Sequence, residues 1–145
     1  MDTPKKIINE LLVDVFNHIL SIEYHELKHR GVKLSMNEVH VLEAIAETND
    51  PTMSNLASRL RVTVGTLTTA MNKLVEKGYV RRYSEPDDKR KVLIRLTEKA
   101  YPILDIHNQF HDEMIDSIIE DMKLDQDDVL IQSLSNIRDY FKNKY

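Results

Sequence analysis

The stretch TVGTLTTAMNK, residues 63–73, gathers side chains suited to close contact with a polyanion. Set at about 100° per residue on a helix, Leu67, Ala70, Met71 and Leu74 share one face, and Gly65, Thr66, Thr69, Asn72 and Lys73 fall on the opposite one. Threonine and glycine disfavour a helix interior by roughly 0.5 and 1 kcal/mol per residue against alanine. A merely solvated face would be rich in Glu and Lys; this one offers hydroxyls, an amide, an ammonium and a position with no side chain. Backbone N–H groups at a helix start and threonine hydroxyls donate to phosphates, while Thr and Asn reach base edges, Asn being suited to adenine. Thr63, the expected N-cap, and Val64 beside it complete the set.

Two other groups of residues could do chemistry. SEPDDKRK, residues 84–91, carries Lys89, Arg90 and Lys91 beside Asp87 and Asp88. The paired carboxylates lie on a polar turn with nothing to desolvate them or separate their pKa values, so acid–base catalysis is not expected of them. The chain also holds six histidines. His25 and His29, and His107 and His111, are spaced four apart, which projects each pair from one helix face. His40 lies on another expected helix, with Glu23 and Glu26 near the end of the first. Zinc takes four N or O ligands in tetrahedral geometry, and His-x3-His supplies two. Lone histidines are more often surface or satisfied core groups, and spacing leaves both assignments open.

Composition bounds the options. With 41% apolar and 30% charged residues, the 145-residue chain fits one ordered, helical domain rather than disorder. Zero cysteines exclude disulfides, thiolate metal sites and cysteine nucleophiles. Three glycines leave little room for a phosphate-cradling loop, and no nucleophile elbow or HExxH occurs, so an enzyme is not expected. No stretch approaches the ~20 apolar residues of a membrane span, and the N-terminus lacks a signal peptide's apolar core, which makes the cytoplasm the expected compartment. The net charge of −4 hides an asymmetry: residues 52–96 carry +6 and the remainder −10. That is a basic binding module within an acidic body.

The elements that position these residues follow from periodicity and caps. Residues 4–28 place Ile7, Ile8, Leu11, Leu12, Val15, Phe16, Ile19 and Leu20 at helical spacing in a wide stripe. HRGVKLS breaks it. Ser35 with Glu38 forms a capping box for a helix through Val39, Leu42, Ile45 and Ala46, which TNDP stops. Thr52 caps a short helix holding Leu56, Ala57 and Leu60, a turn at Arg61–Val62 leads to Thr63, and Gly78 ends the helix that follows. The period then becomes two: YVRRY and KVLIRL predict a hairpin with a charged tip. Thr97 is expected to cap a long helix to about Met122, and Asp125 with Asp128 to open a last one through Val129, Ile131, Leu134, Ile137 and Phe141. Two short helices, a turn and a basic hairpin make a winged helix-turn-helix, whose second helix enters the major groove while a basic tip lies by the minor groove. The fold is therefore mainly α with a small β-hairpin wing. A helical interaction protein that does not bind DNA would explain the terminal helices but not the basic hairpin or the outward glycine.

SNLASRLRVTVGTLTTAMNKLVEKGYVRRYSEPDDKRKVLIRLTEKA resembles the MarR family of bacterial transcriptional regulators. The match is carried by Leu56-Ala57, Leu74 through Gly78 and the wing DDKRKVLIRLT. The resemblance implies an intertwined helical homodimer, with residues 1–33 and 98–145 as the dimerisation region and 34–97 as the winged helix-turn-helix, reading a palindromic operator in double-stranded DNA. It puts Thr63, Thr66, Thr69, Asn72 and Lys73 toward the major groove and Lys89 and Arg90 at the wing.

Within the family, VTVGTLTTAMNKLVEKGYVRR and INELLVDVFNHIL are most similar to the repressors of fatty-acid biosynthesis (the FabT group), which respond to long-chain acyl-acyl carrier protein. Tyr101, Leu104, Phe110, Met114, Ile115, Ile118 and Met122 could line an acyl pocket or serve as plain core. The chain also resembles the family's zinc-uptake repressors, which gather a glutamate and three histidines. Mapped by position, these are Glu23, His40, His107 and His111, making zinc regulation of metal uptake the alternative.

Overall fold

The computed structural model describes all residues, Met1–Tyr145. Helix α1 (Pro4–Asn9) is capped by Thr3, whose side chain accepts from the Lys6 N–H, and Pro4 sits where its missing N–H costs nothing. It passes through a π-helical segment, Glu10–Val15, into α2 (Phe16–His29). The expected uninterrupted helix thus widens in its middle. Ile7, Ile8, Leu11, Leu12, Val15 and Phe16 all stay exposed along this stretch.

Next come α3 (Met36–Glu47), α4 (Met53–Leu60) and α5 (Val64–Glu76), then β1 (Val80–Ser84), β2 (Val92–Leu96), α6 (Tyr101–Met122) and α7 (Asp128–Lys144). The chain forms two compact units, residues 1–108 and 109–145, with α6 running from the first into the second. The core of the first unit holds Leu27, Leu42, Leu56, Leu67, Met71, Leu74 and Ile94, each no more than 1% exposed. Ala100 and Leu104 belong to the same core, so the start of α6 is built into it.

The caps follow the sequence logic at three helix starts. Ser35 and Glu38 close a complete capping box on α3, Thr52 accepts from the Asn55 N–H on α4, and Thr63 accepts from the Thr66 N–H on α5. The turn between α4 and α5 puts Arg61 in the left-handed region at φ 58°, with the Val62 N–H donating to the Ala57 carbonyl at 3.0 Å. After α5, Gly78 at φ 84° ends the helix in a Schellman motif, its own N–H donating to Val75 O at 3.0 Å and that of Tyr79 to Leu74 O at 2.9 Å.

Two caps differ from expectation. Thr97 does not cap α6: its hydroxyl donates to the Gly78 carbonyl at 2.6 Å, and α6 begins only at Tyr101. Asp125 does not open α7 either. It lies in a short 3-10 turn, Leu124–Gln126, entered through Lys123 at φ 52°, and Asp127 supplies the cap by accepting from the Leu130 N–H at 3.0 Å.

The hairpin pairs Val80 with Leu96 through Ser84 with Val92. Its second strand is held by the segment ahead of α4, where the Ile94 N–H donates to Pro51 O at 2.9 Å and Thr52 bridges Leu93. Lys91 adds an ion pair with Asp50 at 2.9 Å. In the second unit no α7 residue is buried, and Val129, Ile131, Leu134, Ile137 and Phe141 are exposed in the single chain. No helix is long and apolar enough to cross a membrane.

Glu38 performs two tasks. Its carboxylate accepts from the Ser35 N–H at 3.1 Å and from Lys77 Nζ at 2.8 Å, tying the start of α3 to the end of α5. Burial pushes its pKa up, but the hydrogen bonds from Lys77 and Ser35 outweigh this and hold it below the ordinary 4.5. A depressed carboxyl contributes stability that is fully present above pH 4.5 and is lost as pH falls through its native value. Glu38→Gln is therefore expected to flatten the acid limb of the urea midpoint plotted against pH. Parallel acid limbs in the two proteins would show that the ionised carboxylate adds nothing.

Candidate nucleic-acid interface

Helix α5 divides as its sequence requires. Leu67, Met71 and Leu74 are buried and Ala70 is half-buried, while Thr63, Val64, Gly65, Thr66, Thr69, Asn72 and Lys73 are all exposed. Thr63 Oγ1 accepts from the Thr66 N–H at 3.1 Å and donates to Thr66 Oγ1 at 2.9 Å, which joins the two hydroxyls at the helix start. Thr68 is committed to the helix, its hydroxyl donating to Val64 O at 2.7 Å; Thr69 reaches Gly65 O only at 3.4 Å. A Cβ built on Gly65 would meet nothing closer than Thr63 Oγ1 at 3.9 Å, and its φ is an ordinary helical one. Nothing within the chain requires glycine there.

The wing presents its charge outward. The Arg90 side chain is 97% exposed, with Nε 3.7 Å from Asp88 Oδ1, and Asp88 shapes the turn by accepting the Arg90 N–H at 3.0 Å. Lys89 is exposed beside it. Lys91 differs from its neighbours because it is anchored to Asp50, in the segment ahead of α4. Arg95 lies over the Tyr83 ring, 4.0 Å from its centroid. The exposed Arg82 on β1 donates through Nη2 to Asn72 Oδ1 at 2.6 Å, a contact between hairpin and helix that spacing along one element could not reveal. The doubled arginine in YVRRY is its only trace in the sequence.

The carboxy end of α5 is gripped by the lead-in to α6. Lys99 Nζ donates to Lys77 O at 2.7 Å and lies over the Tyr79 ring at 4.6 Å, and Thr97 holds the Gly78 carbonyl. A cation at a helix C-terminus satisfies a free carbonyl and opposes the helix dipole.

The histidine expectations divide. Glu23 and His107 are both buried, and His107 Nε2 lies 2.6 Å from Glu23 Oε1. His40 Nε2 lies 3.6 Å from the same oxygen. His107 Nδ1 faces Glu43 Oε2 at 3.0 Å, a partner the sequence offered only as an acid one helical turn beyond His40 on α3. Burial lowers the His107 pKa, but the hydrogen bonds and charges of Glu43 and Glu23 outweigh it and raise it above the ordinary 6.5. His111 follows one turn later on α6, at the start of the second unit. His25 and His29 are exposed. Glu23 and His107 offer a carboxylate and an imidazole, donors of the kind zinc accepts.

Of the apolar residues considered for an acyl pocket, Leu104 and Phe110 are buried, whereas Tyr101, Ile115 and Met122 are exposed. Within the first unit Tyr101 lines an open cleft of about 420 Å³ with Ile45, Pro51, Tyr83, Ile94 and Leu96.

The sequence pattern of the MarR family matches residues 34–92, which covers α3 to the start of β2. The chain is similar to the HTH-type transcriptional regulator SarZ of Staphylococcus haemolyticus (strain JCSC1435), with 31% identity over 79% of this chain and 74% of that protein. It is similar to the transcriptional regulator ZitR of Lactococcus lactis subsp. cremoris (strain MG1363), with 30% identity over 77% of this chain and 79% of ZitR. Among solved structures, that of Streptococcus pneumoniae FabT in complex with DNA superposes with a TM-score of 0.85 and 33% identity, covering 97% of this chain and 99% of that one.

With His107 protonated, Glu23 and His107 form a buried ion pair, and removing one charge from such a pair costs about 3–5 kcal/mol. Because the native His107 pKa is raised, its share of stability is fully present below pH 6.5 and is lost as pH rises through the native value. Glu23→Gln is expected to lower the His107 pKa measured by NMR titration and to reduce stability by several kcal/mol at pH 6. An unchanged His107 titration would contradict the pairing.

Proposed function

We infer that this chain, which belongs to the MarR family of transcriptional regulators, is a homodimeric repressor that grips a palindromic operator with α5 in the major groove and its wing by the minor groove. The observation that carries the reading is the exposed face of Gly65, Thr66, Thr69, Asn72 and Lys73, with a glycine that no contact within the chain explains. A backbone without a side chain lets the helix lie closer to a phosphate or base edge. Arg90 and Lys89 extend the same positive surface at the wing, where an arginine responds to a narrow groove.

The partner in the dimer is a second copy of the chain. Apolar side chains along residues 7–16 and along α7 remain uncovered in one protomer, and a closed two-fold dimer covers such faces and spaces two recognition helices for half-sites about 34 Å apart.

For the regulated genes, the likeness to the fatty-acid-biosynthesis repressors favours fatty-acid biosynthesis, with long-chain acyl-acyl carrier protein as effector. The similarity to FabT along nearly the whole chain supports this reading. A second reading, zinc control of metal uptake, is favoured by the convergence of His107 and His40 on one buried oxygen of Glu23, with His111 as the further candidate ligand. Zinc there would tie α2, α3 and α6 together.

The effector is tested by fluorescence anisotropy on the DNA upstream of the protein's own gene, with acyl-acyl carrier protein, with zinc and with chelator. Tightening by about tenfold with the acylated carrier and indifference to zinc support the first reading; the reverse supports the second. The interface is tested by Gly65→Ala. It is expected to raise folding stability by about 0.5–1 kcal/mol while weakening operator binding. Unchanged or tighter binding would show that the backbone at Gly65 does not approach DNA.

A further inference from the structure

Arg82 lies outside the face of α5 that the helical pattern identifies, yet it bonds to a side chain on that face. Its Nη2 donates to Asn72 Oδ1 at 2.6 Å, a short, charge-assisted bond between two exposed side chains on different elements. Arginine has only donors, so the atom of the amide that turns toward it is the oxygen, and the NH2 group is left facing outward.

This changes the base chemistry of Asn72. Recognition of adenine by asparagine uses both ends of the amide: the oxygen accepts from N6 and the nitrogen donates to N7. With the oxygen engaged by a guanidinium, the second lone pair sits beside a positive charge that repels a further N–H donor. What the pair presents outward is donors alone, from the Asn72 NH2 and the unused guanidinium N–H groups. The base edge that matches a donor-only surface in the major groove is guanine, with N7 and O6 both acceptors.

Arg82 is well placed to hold this arrangement. It sits on β1 opposite Ile94, which is fully buried, in a strand fixed by the hairpin register. The hairpin thereby sets the orientation of a side chain on the recognition helix.

We propose that Arg82 is a specificity-determining residue: it holds Asn72 by its carbonyl, so that the pair selects guanine over adenine at one position of each half-site. The inference rests on the reading of α5 as the helix that enters the major groove.

The test is selection from a randomised duplex library, followed by sequencing, with the full-length wild type and three variants, Asn72→Ala, Arg82→Ala and Arg82→Lys. Both side chains are exposed, and circular dichroism checks that each variant is folded. The position read by Asn72 is the one whose preference Asn72→Ala abolishes. Wild type is expected to select guanine there, and Arg82→Ala, which frees the carbonyl, to shift the preference toward adenine by about tenfold. Arg82→Lys, which keeps a donor and a charge, is expected to retain guanine. Adenine selected by the wild type at that position overturns the inference and leaves the DNA-binding reading intact. An Arg82→Ala profile that matches the wild type at lower affinity also overturns it, because Arg82 would then be a phosphate contact only. A wild type that enriches no sequence and binds no duplex overturns the DNA-binding reading together with the inference.

Discussion

A helix that gives its outer face to a ligand has to be held by its inner face and its two ends. In this protein the carboxy end of α5 carries that constraint. Lys77 reaches back to Glu38 at the start of α3, Lys99 holds the Lys77 carbonyl, and Thr97 holds the carbonyl of Gly78. These contacts join α3, α5 and the lead-in to α6 at one point. The poor helix formers at the other end of α5 are tolerated because Leu67, Met71 and Leu74 are packed into the core and Thr63 caps the first turn.

The segment that grips α5 leads directly into the helix that carries His107, which is held between Glu23 of α2 and Glu43 of α3. A buried imidazole between two carboxylates ties the start of α6 to both helices. The element that grips α5 is thus itself tied to two other helices of the first unit.

Much of this was legible in the sequence where the determinants are local. The inward and outward faces of α5 follow from a 3.6-residue period, and the caps at Ser35, Thr52 and Thr63 from residue type at fixed offsets. Legibility failed where a partner lies far along the chain. Thr97 has the residue type of a cap, but a carbonyl nineteen positions earlier takes its hydroxyl. Asp125 and Asp127 are equally good caps by type, and only the left-handed Lys123 and the turn after it decide between them. Glu43 against His107 and Arg82 against Asn72 are tertiary contacts with no spacing rule behind them. The π-helical segment within the first helix is likewise invisible in a broad apolar stripe, which fits either helical period.

The central claim, that the exposed face of α5 and the wing form a surface for the DNA backbone and bases, is tested most directly by the salt dependence of duplex binding. Each phosphate neutralised by Lys or Arg releases condensed counterions, and log K falls by roughly 0.9 per unit of log salt for each such contact. Between 50 and 200 mM salt the affinity for operator DNA is expected to fall by about a thousandfold or more, in line with the six or so phosphate contacts that such a drop represents. An affinity that stays flat across this range would contradict the claim, whatever the strength of binding.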